Sequence, residues 1–301
     1  MRFLKETNID FLSMRRFGFV ISGSFILAGI VSLLLQGGPL LSIDFTGGTL
    51  AQIRFEEAPD IAKVRSALES LNVGIGEVQT FGTPNEILIR LQLSQNAENL
   101  TSELKAALQA QFPDQSIDFR RVETVGPKIG SELKGKAFFA VFTAIIGILI
   151  YISIRFELKF AIGAIAALIH DVLITLGIFS ILNYEISLAI IAAFLTIVGY
   201  SLNDTIVVFD RVRENMKLLK NIDQKTIFNK SINESLSRTI ITSLTTFAVV
   251  FTLYIAGGEV IRYFAFAMII GVIVGTYSSI YVASPVVLLW QQRVTPPPQS
   301  K

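Results

Sequence analysis

The chain is 301 residues long, 51% hydrophobic and only 17% charged, with a mean hydropathy of +0.58. That composition is too apolar for an ordinary soluble domain and places the chain among integral membrane proteins. A net charge of +2 without a basic cluster offers no footprint for nucleic acid, and the lack of cysteine excludes disulfides and thiol catalysis. With His170 as the single histidine, a closed zinc site has too few ligands, so no metal is expected.

About 20 mostly apolar residues cross the hydrocarbon layer as a helix. The first run of that length is 17–35. It has no small-residue cleavage site before Gln36, so it is expected to remain as an anchor rather than be removed as a signal peptide. The polar stretch that follows reads as a small α+β domain. Residues 50–55 alternate like a half-buried strand, and 58–71 space Ile61, Val64, Ala67, Leu68 and Leu71 along one helical face behind Pro59. Strands at 77–81 and 86–93 flank the turn 82–85, a second helix covers 97–112, and a last strand covers 117–122. This order, strand-helix-strand-strand-helix-strand, is that of the ferredoxin-like split motif, which by itself identifies no function.

Five more apolar runs follow, at 137–154, 160–182, 187–209, 239–256 and 263–290. Between the fourth and fifth spans, 224–236 places Ile227, Phe228, Ile232 and Leu236 beside polar residues and reads as an amphipathic helix on the membrane surface. The chain therefore divides into 1–36 (tail and first membrane helix), 37–136 (ferredoxin-like domain), 137–293 (a five-helix bundle carrying the segment 211–237) and 294–301 (a tail with Pro296 to Pro298).

Lys and Arg in short loops stay on the cytoplasmic side. They flank the first span (Arg2, Lys5, Arg15, Arg16) and follow the second (Arg155, Lys159) and fourth (Arg211, Arg213, Lys217, Lys220, Lys225, Lys230). The loops at 183–185 and 257–259 carry none. Both termini are thus expected in the cytoplasm and 37–136 on the outer side, since long domains cross regardless of charge.

The most informative residues are intramembrane ions. Asp204 sits a few residues inside the cytoplasmic end of the fourth span and Arg238 opens the fifth. Such a charge costs roughly 2.5 to 3.5 kcal/mol on insertion scales, so chains carrying one usually use it for transport or proton relay. Opposite chain directions bring the two to similar depth. Helical spacing groups Tyr200 and Asn203 with Asp204, and Thr242, Thr245 and Thr246 with Arg238. Proximity to Arg238 favours the charged Asp204 and separation favours the protonated form, so helix motion would load and release a proton. The plainer reading is a structural ion pair, or two interfacial groups with Arg238 snorkelling to water.

Asp171 lies deeper, in the third span, beside His170. Adjacent helical residues point to different faces and need not act together; both stand between relay and packing roles, with Asp171 also able to bond the fourth span. Gly271 and Gly275, one turn apart and followed by Ser279, suit close helix packing. Asp44, Gly47 and Gly48 form a turn outside the first span, grouped with Gly126 and Pro127 as hinge or structural residues.

Asp44-Phe-Thr-Gly-Gly48, Val125-Gly-Pro-Lys-Ile-Gly130, His170-Asp-Val-Leu-Ile-Thr-Leu-Gly177 and the long run from Gly199 to Asn215 occur in the order found in the SecF family. The chain resembles that family over nearly its whole length. The resemblance implies a member of the resistance-nodulation-division superfamily in the bacterial inner membrane that pairs with SecD and assists the SecYEG channel, with YajC as a further partner. It implies a non-enzymatic role, with protons as the coupling ion and no cofactor, that helps unfolded preproteins leave the channel. Two other functions compete: a proton-driven small-molecule efflux subunit, and an intramembrane aspartyl protease with Asp171 and Asp204 as its dyad. Against the protease, the two carboxylates lie at different depths and Gly199-Tyr-Ser-Leu-Asn-Asp204 lacks a Gly-x-Gly-Asp pattern.

Overall fold

The computed structural model describes residues 7–71, 75–91, 97–220 and 222–294. Arg2, Lys5 and the expected tail beyond residue 294 lie outside the described residues. The chain separates into two compact units, Met1–Leu40 with Ala140–Lys301, and Leu41–Phe139. In chain order the elements are α1 (Arg15–Leu35), α2 (Ile43–Thr46), β1 (Gly48–Phe55), α3 (Ile61–Glu69), β2 (Ile75–Phe81), β3 (Thr83–Leu91), α4 (Ala97–Gln111) and β4 (Ile117–Val125). They continue with α5 (Pro127–Arg155), α6 (Leu158–Ile181), α7 (Leu188–Leu218), α8 (Gln224–Ala256) and α9 (Gly258–Ser278), which passes through a π-helical turn (Ser279–Ala283) into α10 (Ser284–Val294). Among the described residues six helical stretches are long and apolar enough to cross a membrane, α9 to α10 counting as one.

Three differences from the sequence expectation have clear causes. α5 begins at Pro127, ten residues before the apolar run, because Pro suits the first helical position and no further Pro follows to break it. α7 runs on to Leu218, so much of 211–237 is helix contributed by the flanking spans. The segment 224–236 is no separate surface helix. It is the start of a 33-residue α8, capped by Asp223, on which Ile227 is buried and Phe228, Ile232 and Leu236 join the bundle core. Nothing between Gln224 and Ala256 breaks the helix, so the amphipathic stretch stays in line with the span behind it.

The first unit packs around Phe156, Phe160 and Phe209, with Phe160 and Phe209 ring centroids 5.0 Å apart, joined by Phe228, Val287 and Leu288. The stretch before α1 is tied to α8, where the Asn229 and Asn233 side chains donate to the Ile9 carbonyl at 2.9 and 2.8 Å. Glycine lets the helices meet. A Cβ on Gly29 of α1 would stand 2.6 Å from the Gly177 Cα of α6, and one on Gly271 would collide with the Ile197 side chain of α7. Gly275 likewise faces Ser201, so the Gly271 and Gly275 stripe packs α9 on α7 within this chain.

The second unit is a four-stranded antiparallel sheet in the order β2-β3-β1-β4. One face buries Ala51, Ile53, Phe55, Ile87, Ile89 and Leu91 with Val64 and Leu68 of α3 and Leu100, Leu104 and Leu108 of α4. On the other face Gln52 donates to Glu86 at 2.7 Å and Arg54 pairs with Glu86 at 3.2 Å. Before β1, Ser42 caps α2 by accepting from the Asp44 amide at 3.2 Å, and Gly47 and Gly48 follow at φ 72° and 125°. A Cβ at Gly48 would lie 2.7 Å from the Leu91 carbonyl oxygen, and one at Gly47 3.1 Å from the Pro127 Cα. The Asp44 to Gly48 turn and the Gly126-Pro127 pair therefore meet at one close-packed joint, where the two left-handed positions admit only glycine.

Candidate functional site

Asp204 is 1% exposed on α7, as its place on the buried stripe Ile197, Ser201, Thr205 and Val208 requires. Its Oδ2 accepts from Ser243 Oγ of α8 at 3.3 Å. Ser243 also lies 2.6 Å from Thr276 Oγ1 of α9, and Thr276 donates onward to the Val272 carbonyl at 2.8 Å. Ser243 thus has one hydrogen for two contacts, and its hold on Asp204 is long. Tyr200, Thr205 and Thr239, at neighbouring positions on the two helices, bury hydroxyls that make no hydrogen bond.

The direct Asp204–Arg238 ion pair expected from the sequence is absent. Arg238 is exposed and makes no ion pair with Asp204 among the described residues. Ser243 stands five residues beyond Arg238, about 140° around the helix, so with Ser243 hydrogen-bonded to Asp204 the Arg238 side chain acts on it only from a distance, without an ion pair. The two flanking residues go elsewhere as well. Asn203 is exposed, and the Thr242 hydroxyl folds back on its own helix, donating to the Arg238 and Thr239 carbonyls at 3.0 and 2.9 Å. The polar seam runs through Ser243 and Thr276 rather than through Thr242 and Thr245.

A second and better-bonded cluster surrounds Asp171 of α6, which is fully buried. Its Oδ1 lies 2.8 Å from His170 Nδ1, while its Oδ2 accepts from Ser201 of α7 at 2.5 Å and Ser278 of α9 at 2.8 Å. Although neighbours on a helix face different ways, the imidazole is long enough to turn back onto the next carboxylate. The other ring nitrogen, Nε2, lies 2.8 Å from Ser22 Oγ of α1, and the ring stacks on Tyr277 with centroids 6.0 Å apart. Ser22 in turn contacts the Tyr277 hydroxyl at 3.1 Å, and Tyr277 donates to the Gly18 carbonyl at 2.7 Å. Four helices converge on one pair of adjacent residues.

Ser22, Ser201, Ser243, Thr276, Tyr277 and Ser278 were not singled out from the sequence, because lone hydroxyls in apolar runs usually bond their own helix. Thr276 and Ser278 connect the two clusters to one stretch of α9, directly before the π-helical turn, where Ser284 Oγ donates to the Ser279 carbonyl at 2.9 Å. π-helical turns of this kind are frequent at functional sites. Asp171 and Asp204 are not joined to each other by a hydrogen bond among the described residues; each is bonded to hydroxyls from other helices. That is not the arrangement of a proton-sharing carboxylate dyad. No group of three His, Cys, Asp or Glu side chains able to hold a metal occurs among the described residues.

The C-terminal model of the protein export membrane proteins SecD and SecF matches residues 104–293. Curated relatives extend the match to nearly the full length. Protein translocase subunit SecF of Calditerrivibrio nitroreducens is 51% identical over 288 residues, covering 94% of both chains. The chain belongs to the SecF family. The SecF of Magnetococcus marinus is 50% identical, covering 95% of this chain and 93% of that protein. Among solved structures, SecDF from Thermus thermophilus superposes with a TM-score of 0.85 at 39% identity over 96% of this chain, and SecDF in its super-membrane-facing form with 0.69 at 38% over 97%. This SecF-family chain spans 39% of the length of the first of those SecDF chains and 40% of the second.

Proposed function

We propose that this SecF-family chain is a non-enzymatic subunit of the Sec translocase that works with a SecD partner and uses the proton-motive force to promote late steps of preprotein export. The relatives named as translocase subunits and the SecDF neighbours support the first half of this reading. Asp204 carries the second half. It is a carboxyl group sealed inside a membrane span, met by the Ser243 hydroxyl through one long and shared hydrogen bond with Thr276 beside it, while Arg238 is exposed and acts on it only from a distance, without an ion pair.

A relay needs an acid that meets its base in one state and not in the other. The structure has them apart, so the relay requires a second state in which α7 and α8 turn to bring Arg238 onto Asp204 in place of Ser243. Each proton crossing the membrane supplies about 2.3 kcal/mol per 100 mV, enough to shift a two-state balance by more than tenfold. His170 and Asp171 stand beside this path, with Asn203 and Thr242 on faces that meet lipid or a partner.

In this reading the protein sits in the bacterial cytoplasmic membrane with both termini inside. The antiparallel sheet unit, which this reading takes as a ferredoxin-like split motif, lies outside and meets unfolded preprotein as it leaves SecYEG, with YajC as an accessory. The joint at Asp44, Gly47, Gly48, Gly126 and Pro127 is where that unit would pivot. No cofactor other than the coupling proton is invoked. The test is translocation of a preprotein into inverted vesicles that contain SecYEG, SecD and this chain. Asp204→Asn is expected to remove the acceleration given by an imposed proton gradient while the variant still co-purifies with SecD. Retention of that acceleration by Asp204→Asn would overturn the relay.

A further inference from the structure

We propose that His170 and Asp171 together form a proton-binding site separate from Asp204, one that holds two protons between its members when α1 is docked on α6 and α9. The grounds are a count of hydrogens along the network, starting from its fixed end. A carbonyl oxygen accepts only, so in the 2.7 Å contact with Gly18 the hydrogen is that of Tyr277. The Tyr277 oxygen then has no hydrogen left for Ser22, and the 3.1 Å contact between them uses the Ser22 hydrogen. Ser22, with its one hydrogen spent, can only accept from His170, so the 2.8 Å contact requires a hydrogen on Nε2. The last contact, 2.8 Å between His170 Nδ1 and Asp171 Oδ1, needs one more hydrogen, on either atom. Asp171 Oδ2 is not its carrier, since that oxygen accepts from Ser201 at 2.5 Å and is the nearer of the two acceptors that share the Ser278 hydrogen, at 2.8 Å against 3.1 Å for the Gly275 carbonyl.

The pair therefore holds two protons, as imidazolium with carboxylate or as neutral imidazole with carboxylic acid. Either way it is neutral overall, which suits a site where Ser22 and His170 are 5% exposed and Asp171, Ser201 and Ser278 are fully buried. With one proton fewer, a contact of 2.8 to 3.1 Å on the path from Asp171 to Gly18 would set two lone pairs face to face. The weakest, between Ser22 and Tyr277, would part first, and it is one that ties α1 to α9. Proton loss at the pair is in this way coupled to opening of the Ser22–Tyr277 contact between α1 and α9.

α1 presents Ser22, with Arg15 and Arg16 about 10 Å further along its axis. α7 presents Ser201, with Asp204 one turn on but bonded to Ser243, and α9 presents Tyr277 and Ser278. Tyr277 is the titratable side chain in contact with the pair among the described residues, and its hydrogen is already committed to Gly18. The proton count on the pair does not depend on whether Asp204 relays protons.

Because the chain has one histidine, ¹⁵N-histidine labelling reports a single imidazole. The full chain in lipid nanodiscs at pH 7 is expected to show either two protonated ring nitrogens, or one protonated ring nitrogen together with an infrared carboxylic-acid C=O band that disappears in Asp171→Asn. One bare ring nitrogen with no such band, or with a band that persists in Asp171→Asn, would overturn the proposal; the count of protonated ring nitrogens is itself read on the unaltered protein. Ser22→Ala, which removes the acceptor of Nε2, is expected to move the imidazole ¹⁵N signals. An unchanged spectrum in a variant that retains the wild-type thermal midpoint would equally count against it.

Discussion

At the scale of single residues, what distinguishes Asp204 from Asp171 is how well each is bonded. Asp171 is met by three short contacts from three helices, whereas Asp204 has one long bond, from Ser243, whose hydrogen is shared with the neighbouring Thr276. The richly bonded group is suited to holding a proton in place and the poorly bonded one to exchanging it. If α8 must turn to bring Arg238 onto Asp204, Arg238→Ala should reduce gradient-driven translocation as Asp204→Asn does, and combining the two should add little to either alone; additive losses would place them in separate roles. Outside the membrane, Asp223 accepts from the Thr226 amide at 3.0 Å and caps α8. Hydrogen bonds from Thr226 hold its carboxyl below the usual range, and bonds from Ser13 do the same for Asp10. The stabilisation from both is present at neutral pH, where folded and unfolded chains are alike ionised, and is lost as acid protonates the folded carboxylates. Asp223→Ala is expected to cost about 1 kcal/mol, read as a lower unfolding midpoint at pH 7, with the gap to wild type closing in strong acid.

At the scale of helices and strands, close approach through glycine organises the bundle. Gly271 faces Ile197 so closely that any side chain must displace it, whereas Gly23 of α1 has no neighbouring atom within 4 Å of where a Cβ would stand. Gly271→Leu should therefore lower the thermal midpoint in detergent by an overpacking cost on the order of 1 to 3 kcal/mol, while Gly23→Leu leaves it nearly unchanged. The Gly271 and Gly275 stripe was legible from four-residue spacing. The Gly29 and Gly177 contact was not, because its two members lie on different helices and no pattern in either one points to the other. The same limit hid Ser243. Arg238 and Thr242 were the visible polar residues at the start of the fifth span, yet the buried direction of α8 falls on Thr239 and Ser243 only once α7 and α9 are packed beside it.

At the scale of the whole molecule, the sheet unit has a core of its own and four strands that pair with one another among the described residues. A fragment of residues 41–134 is expected to unfold cooperatively in solution, followed by circular dichroism. Gly48→Val, at φ 125° and facing the Leu91 carbonyl, should destabilise it by on the order of 1 to 3 kcal/mol, and a fragment without a cooperative transition would refute its independence. The spans, the strand and helix order of the sheet unit, the burial of intramembrane acids and the family were all readable in the sequence, since each follows from local periodicity, composition or contiguous motifs. The tertiary structure alone decided which hydroxyl each acid meets, that His170 turns onto Asp171, and that Arg238 forms no ion pair with Asp204. Those outcomes depend on how helices rotate about their own axes, and that rotation is set by packing between segments far apart in the chain, not by any one segment's pattern.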